Sequence, residues 1–256
     1  ANVRPGGEVL PLYRGNILLR DPTAGEMLAA ARAGGQWLSG ALRPNGRFYY
    51  RYYPINLGYQ ESRYSLARHC GATWNLYVLY NATGRRDRRL LETANRSLDW
   101  MRALCREKGK RGAVRLPRYQ TPGPTASSAA LALLALVESC RLGGRKELLP
   151  EAEVIGDLII KRFQHPSGRF WSWWDARTGR PAGDLAFIYH PGEILLGLAG
   201  LYEISGRKRF LDAAILGMDA QVRAEKLHLE QTGKLPPDAW TIQAVEALDR
   251  VAPPKK

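Results

Sequence analysis

No run of roughly eighteen or more apolar residues, the length of a helical membrane span, occurs in the chain. Cysteine is scarce: Cys70, Cys105 and Cys140 are the only three, none sits in a CxxC pair, and the four histidines show no zinc spacing. The odd number argues against a full disulfide framework, and no zinc-ribbon pattern is present. Each cysteine falls in or at the end of an apolar helical stretch, where a thiol serves as a small hydrophobe. The chain also lacks a GxxxxGK[ST] phosphate loop, a GxGxxG after a strand, a GxSxG elbow and an HExxH pair. No cofactor, nucleotide or metal is therefore expected. Acidic residues are outnumbered, 24 against 38 Lys and Arg, for a net charge of +14. An excess of this kind favours an anionic partner, whether nucleic acid, lipid surface or acidic polysaccharide; a merely solvated basic surface is the plainer reading. The N-terminal "ANVRPGGEVL" carries no charged-then-apolar leader and reads as a mature end or an arbitrary boundary.

What the sequence does contain is a repeat. "LYNATGRRDRRLLETANRSLDWM", "LVESCRLGGRKELLPEAEVIGDLI" and "LYEISGRKRFLDAAILGMDAQV" each join two helical stretches through a glycine. The glycines are Gly84, Gly144 and Gly206, separated by 60 and 62 residues. Each follows an apolar stretch and suits the left-handed position that closes a helix. "GEMLAAARAGGQWLSGAL" resembles the second helix of such a unit, with Trp37 standing 63 residues before Trp100. "PPDAWTIQAVEALDRV" resembles the first helix of another. The expectation is eight main helices in about four hairpins, forming one domain over residues 1–256.

The links between units, "RPNGRFYYRYYPINLGY" and "HPSGRFWSWWDARTGRP", place GRF before alternating aromatics, a short β-hairpin signature; "EKGKRGAVRLPR" is a weaker version. "ASSAALALLALVES" and "GEILLGLAGL" are apolar or small nearly all round, which marks helices buried on most faces. "RRDRRLLETANRSLDWM" is amphipathic and belongs outside. Buried helices ringed by amphipathic ones read as all-α, an α/α toroid, here an incomplete barrel of about four hairpins with short β-hairpin links. Solenoids such as tetratricopeptide arrays repeat at a shorter period.

Through "LY…TG…RRLLETA…LDW" and "LAGLYEISGRKRFLDAA" most of the chain resembles the α/α-toroid superfamily. That group includes six-hairpin glycosidases, uronate-acting hydrolases and lyases, and N-acylglucosamine 2-epimerase-like proteins. The resemblance implies a carbohydrate-active protein; its motifs describe architecture and carry no catalytic residue across.

In a toroid the loops before the first helices converge on one face. Aligned on the turn glycines, Arg68, Ser128 and His190 each lie 16 residues upstream and should occupy equivalent positions. In "YHPGE", Glu193 has a structural reading, an acidic residue favouring a helix dipole, and a functional one with His190 as acid or base. Asp238 in "PPDAW" reads as a helix cap or a second carboxylate, and Trp240 as packing or a sugar-stacking ring. His69 reads as a satisfied core histidine or a base. Arg68, expected to need an anion on an apolar helix, has Glu61, Asp184 and Glu193 as candidate carboxylates, or a ligand. Arg63, Tyr64 and Tyr189 add donors nearby. The candidate catalytic set is thus Glu193, His190, Asp238 and His69. The candidate binding set is Arg68, Arg63, Tyr64, Tyr189, Asp184 and Trp240.

The resulting expectation is action on an acidic, uronate-containing polysaccharide or oligosaccharide by hydrolase, lyase or epimerase chemistry, without a membrane span or nucleic-acid partner. The alternative is a non-catalytic toroid that binds glycan or partner proteins in a cell-envelope assembly. A periplasmic or secreted setting fits either; nothing in the residues speaks against the cytoplasm.

Overall fold

Thr23, Ser65, Asp87, Thr125 and Asp238 each stand just before an apolar-periodic stretch, and each accepts a backbone N–H of the first helical turn through its side chain. Capping of this kind satisfies a donor that has no partner within the helix. The computed structural model of the protein describes residues 2–3, 9–10, 21–53, 58–60, 63–106, 113–120 and 123–252. Its elements run β1 (Asn2–Val3), β2 (Val9–Leu10), α1 (Ala24–Gly40), β3 (Arg51–Tyr53), β4 (Gly58–Gln60), α2 (Leu66–Ala82), α3 (Arg88–Cys105) and α4 (Ala126–Arg141). A 3-10 turn at Lys146–Leu148 leads into α5 (Leu149–Phe163), then β5 (Trp171–Asp175), β6 (Arg180–Leu185), α6 (His190–Ser205), α7 (Lys208–Thr232) and α8 (Ala239–Val251).

The helices form two layers. α2, α4, α6 and α8 pack side by side as an inner row, and α3, α5 and α7 each fold back outside the inner helix before them. α1 lies outside α2 and α3. Every residue of α4 from Ala126 to Cys140 except Ser127 is buried, as the sequence's all-round apolar character requires. The inner helices are parallel and level: a Cβ on Gly71 of α2 would touch Leu131 of α4, and one on Gly197 of α6 would touch Leu133 of α4. All three turn glycines, Gly84, Gly144 and Gly206, have the left-handed backbone, with φ of 70°, 69° and 66°.

The links repeat as well. After each of α1, α3 and α5 the chain closes a small antiparallel bridge, Leu42 with Phe48, Arg106 with Val114 and Gln164 with Phe170. Two of these lead into hairpins, β3 against β4 and β5 against β6. The weaker link forms the same bridge without an extended hairpin among the described residues. The buried apolar side chains of both layers make one continuous core. α2 and α8, the two ends of the inner row, meet through side chains: the Trp74 and Trp240 rings lie 5.1 Å apart.

Candidate active site

α6 enters the inner row through "FIYHPGE". Tyr189 has φ 64° and ψ −63°, a γ-turn closed by the His190 N–H donating to the Ile188 carbonyl at 2.8 Å. A side chain in this region strains the backbone, so the turn must be held from outside. Asp238 holds it. One oxygen of its carboxylate accepts the Tyr189 N–H at 2.9 Å and the Thr241 hydroxyl at 3.1 Å; the other caps α8 by accepting the Trp240 N–H at 3.0 Å. Asp238 is 5% exposed, and both its oxygens are engaged by these three donors. It is an organiser of the two helix starts, which removes it from the candidate reacting groups. The first turns of α6 and α8 come so close that a Cβ on Gly192 would lie 2.4 Å from the Thr241 nitrogen.

Beyond the turn, Pro191 occupies the first helical turn, where its missing N–H is not needed. His190 and Glu193 are three residues apart and share a face of the helix. Glu193 is 5% exposed. Burial pushes its carboxyl up to about 6; a hydrogen bond from Ser127 of α4 opposes this, and the Asp238 charge adds to it. Burial alone lowers the His190 imidazole below its usual value. The Glu193 Oε2 and the His190 Nδ1 are both buried without a hydrogen-bond partner in the protein. Two such atoms on one helix face, a carboxyl held near neutrality and an imidazole held neutral, can give and take a proton at one bound molecule. Tyr189 stands 47% exposed at the same helix start.

Trp240 packs inward on Trp74 at the top of α8. Asp184 lies exposed on β6, where its carbonyl accepts the Ser172 hydroxyl. Arg63 is exposed. Arg68 is exposed too and, of the two anions expected for it, meets no carboxylate among the described residues: its Nη1 donates to the Tyr50 hydroxyl at 3.1 Å. Glu61 lies outside the described residues.

His69 faces away from the inner row and bridges α2 to α3. Its Nε2 lies 3.0 Å from the Ser97 carbonyl, which only accepts, so Nε2 carries the proton. Nδ1 then accepts from the Tyr64 hydroxyl at 2.7 Å, and that oxygen accepts the Phe48 N–H at 3.2 Å. With 2% exposure and both nitrogens satisfied, His69 is a core residue and Tyr64 its partner, and neither reaches Glu193 as a base.

The glycine register also needs correction. Arg68 and Ser128 are each the third residue of their helices, whereas His190 is the first of α6. The γ-turn starts α6 two residues late relative to its glycine, 16 residues before Gly206 where α2 and α4 start 18 before theirs, and no periodicity signals such a turn. The structure thus brings together His190, Glu193, Tyr189, Asp238 and Trp240, and leaves His69, Arg63 and Asp184 elsewhere. Sequence reasoning missed Ser127 and Trp74. Ser127 was legible as the first hydroxyl in an otherwise apolar helix; Trp74 was hidden among core aromatics.

Among the described residues no three His, Cys, Asp or Glu side chains gather as metal ligands. No family model matches the chain, and no curated protein matches its sequence. Solved structures do. A sugar epimerase from a ruminal bacterium superposes with a TM-score of 0.64 at 19% identity, over 88% of this chain and 65% of its own. A family 76 α-mannanase of Bacteroides thetaiotaomicron gives 0.56 at 14% identity, over 75% of this chain and 54% of its own. An inactive variant of the Salegentibacter sp. HEL1_6 α-1,6-mannanase, altered at two adjacent aspartates and bound to α-1,6-mannotetrose, gives 0.54 at 16% identity, over 86% and 84%. This chain spans less than two thirds of the first two. The likeness is one of fold: the chain is an α/α toroid, shared with glycoside hydrolases and sugar epimerases.

Proposed function

We propose that the protein is a carbohydrate-active enzyme that removes the C5 proton of a uronate residue in an acidic polysaccharide. The observation that carries this is the pair of buried, unpartnered atoms, His190 Nδ1 and Glu193 Oε2, on one face of α6. Hydrolysis with two carboxylates fits less well. Asp238 is occupied as a cap, Asp184 is exposed on β6, and the chain contains no adjacent aspartates of the kind altered in the inactive mannanase. A neutral imidazole with a carboxyl near pH 6 suits proton transfer next to a carboxylate.

In the favoured reaction His190 accepts the C5 proton and the C5–H electrons become the C4–C5 double bond. The C4–O glycosidic bond breaks, and Glu193 gives its proton to the departing oxygen. Both groups rise from the same helix face, which favours this β-elimination over epimerisation, where a proton returns from the opposite face. Uronate polymers incubated in deuterated water provide the test. An unsaturated end group, or deuterium at C5 without cleavage, is the expected result, lost in His190→Ala and Glu193→Gln. Saturated shortened products, or binding with neither change, would refute it.

A non-catalytic glycan-binding toroid in the cell envelope is the second reading. It is favoured by an α8 flank that leaves Ile242 71% exposed.

A further inference from the structure

Two groups of arginines stand apart in this protein. Arg102, Arg141, Arg145, Arg207, Arg209 and Arg250, on the helices and their turns, each pair with a carboxylate. Arg47, Arg51, Arg63, Arg68 and Arg118 pair with none among the described residues. Described positions 41–53, 58–60, 63–69 and 113–120 contain no Asp or Glu at all. These arginines keep company with tyrosines instead. Arg47 lies 4.2 Å over the Tyr64 ring, Arg51 5.4 Å over Tyr50, and Arg68 lies 5.7 Å from the centre of the Tyr50 ring while donating to its hydroxyl. Tyr49 and Tyr59 stack at 4.1 Å across the β3–β4 hairpin, and Tyr53 and Tyr59 are 43% and 42% exposed. Arg118 lines a cavity of about 200 Å³ with Tyr64 and Ser128 between the starts of α2 and α4. Among the described residues these five positive charges thus gather without an ion-pair partner toward the end of the barrel where the inner helices begin.

A guanidinium held beside a ring with no carboxylate partner keeps N–H groups available for contact with a ligand carboxylate. An exposed tyrosine face accepts the apolar face of a sugar ring. A uronate chain presents one ring and one carboxylate per residue, so an array that alternates rings and guanidinia matches a run of acidic sugars better than a single one. Single-stranded nucleic acid also alternates rings and anions; a glycan is favoured because the array adjoins the mouth of a fold whose solved relatives act on sugars. We infer that the β3–β4 hairpin and the first turn of α2 form a chain-holding subsite for several consecutive acidic sugars, making the substrate a polymer rather than a mono- or disaccharide. This rests on the reaction proposed above.

The test is binding, measured in the Glu193→Gln background so that turnover cannot consume the ligand. The probes are polygalacturonate, alginate, hyaluronate, trigalacturonate, neutral α-1,6-mannan and a thirty-residue oligothymidylate. At least one acidic polymer should bind at least about ten-fold more tightly than trigalacturonate, because linked contacts add avidity. Arg51→Ala with Arg68→Ala should cost about ten-fold in that affinity and flatten its salt dependence, while Arg51→Lys with Arg68→Lys recovers only part of it. Unchanged melting temperatures establish that the variants fold. Polymer affinity untouched by the alanine pair, equal affinity for trimer and polymer, or tighter binding of oligothymidylate than of every acidic glycan would each overturn the subsite. Turnover persisting in Glu193→Gln would instead overturn the catalytic assignment and leave the subsite standing.

Discussion

The carboxylate of Asp238 accepts the backbone N–H of Tyr189 at 2.9 Å, 49 residues away in sequence, and so ties the start of α8 to the strained turn that starts α6. Asp238→Ala should release three donors at once, the N–H groups of Tyr189 and Trp240 and the Thr241 hydroxyl. The expected loss is about 2–4 kcal/mol, combining a lost cap with buried unsatisfied donors. Urea unfolding measures it. A loss below about 0.5 kcal/mol would mean the γ-turn holds itself.

Gly192→Ala probes the same junction from the other side. The new methyl would sit 2.4 Å from the Thr241 nitrogen and 2.5 Å from the Trp240 carbonyl carbon, both backbone atoms that cannot rotate away. The helices must part, at a cost of about 1–3 kcal/mol. Thermal melting should show the loss, and tryptophan fluorescence should report the shift of Trp240 against Trp74. Wild-type behaviour in both would refute the tight helix junction.

Glu193 gives a pH dependence with a definite sign. Its carboxyl sits at about 6 in the folded protein against an ordinary 4.5. Between these values the folded state holds a proton that the unfolded state has lost, so stability falls as pH rises through the window. Above pH 6 the cost is complete, on the order of 2 kcal/mol. Glu193→Gln should match wild type below pH 4.5 and exceed it at pH 7 to 8. In the proposed reaction Glu193 must carry a proton, so turnover should fall about ten-fold per pH unit above about pH 6. A flat profile from pH 6 to 8 would rule it out as the acid.

His69 runs the opposite way. Burial, the first cause, lowers its imidazole to about 4 from 6.5. The unfolded chain takes up the proton first on acidification, so the contribution is whole above pH 6.5 and is lost as pH falls toward 4, on the order of 3 kcal/mol. His69→Gln should be less stable at pH 7 and should lose the acid-side fall of this group, leaving the opposite Glu193 slope over that window. Melting temperatures at pH 4.5, 5.5 and 7 for wild type, His69→Gln and Glu193→Gln separate the two effects. Equal slopes for wild type and His69→Gln would place the acid sensitivity elsewhere.

The hairpin repeat was legible because burial imposes it: helices with no exposed face, such as "ASSAALALLALVES", can only lie inside, and the glycines that end them are required by the left-handed backbone. The order of inner and outer helices and the recurrence of the links followed from the same patterning. The candidate site was legible only in part. "YHPGE" identified His190 and Glu193 by type, but Asp238 looked equally like a cap and a carboxylate catalyst, and His69 equally like a core residue and a base. Those choices depend on which partners lie within 3 Å, and residues 49 apart, such as Tyr189 and Asp238, share no local pattern.

By itself, then, the sequence determined the α/α architecture, the helical hairpins (three complete, flanked by α1 and α8) and the end at which polar residues gather, because helical period and all-round apolarity are local properties that a chain can only satisfy by burial. Tertiary structure alone decided the chemistry of each polar side chain. It spent the Asp238 carboxylate on three donors, enclosed His69 between α2 and α3, and left Arg68 exposed on Tyr50. It left one atom of His190 and one of Glu193 without partners. The reason is physical: a polar group's protonation and availability depend on the dielectric and the donors around it, and these come from segments that only folding brings together.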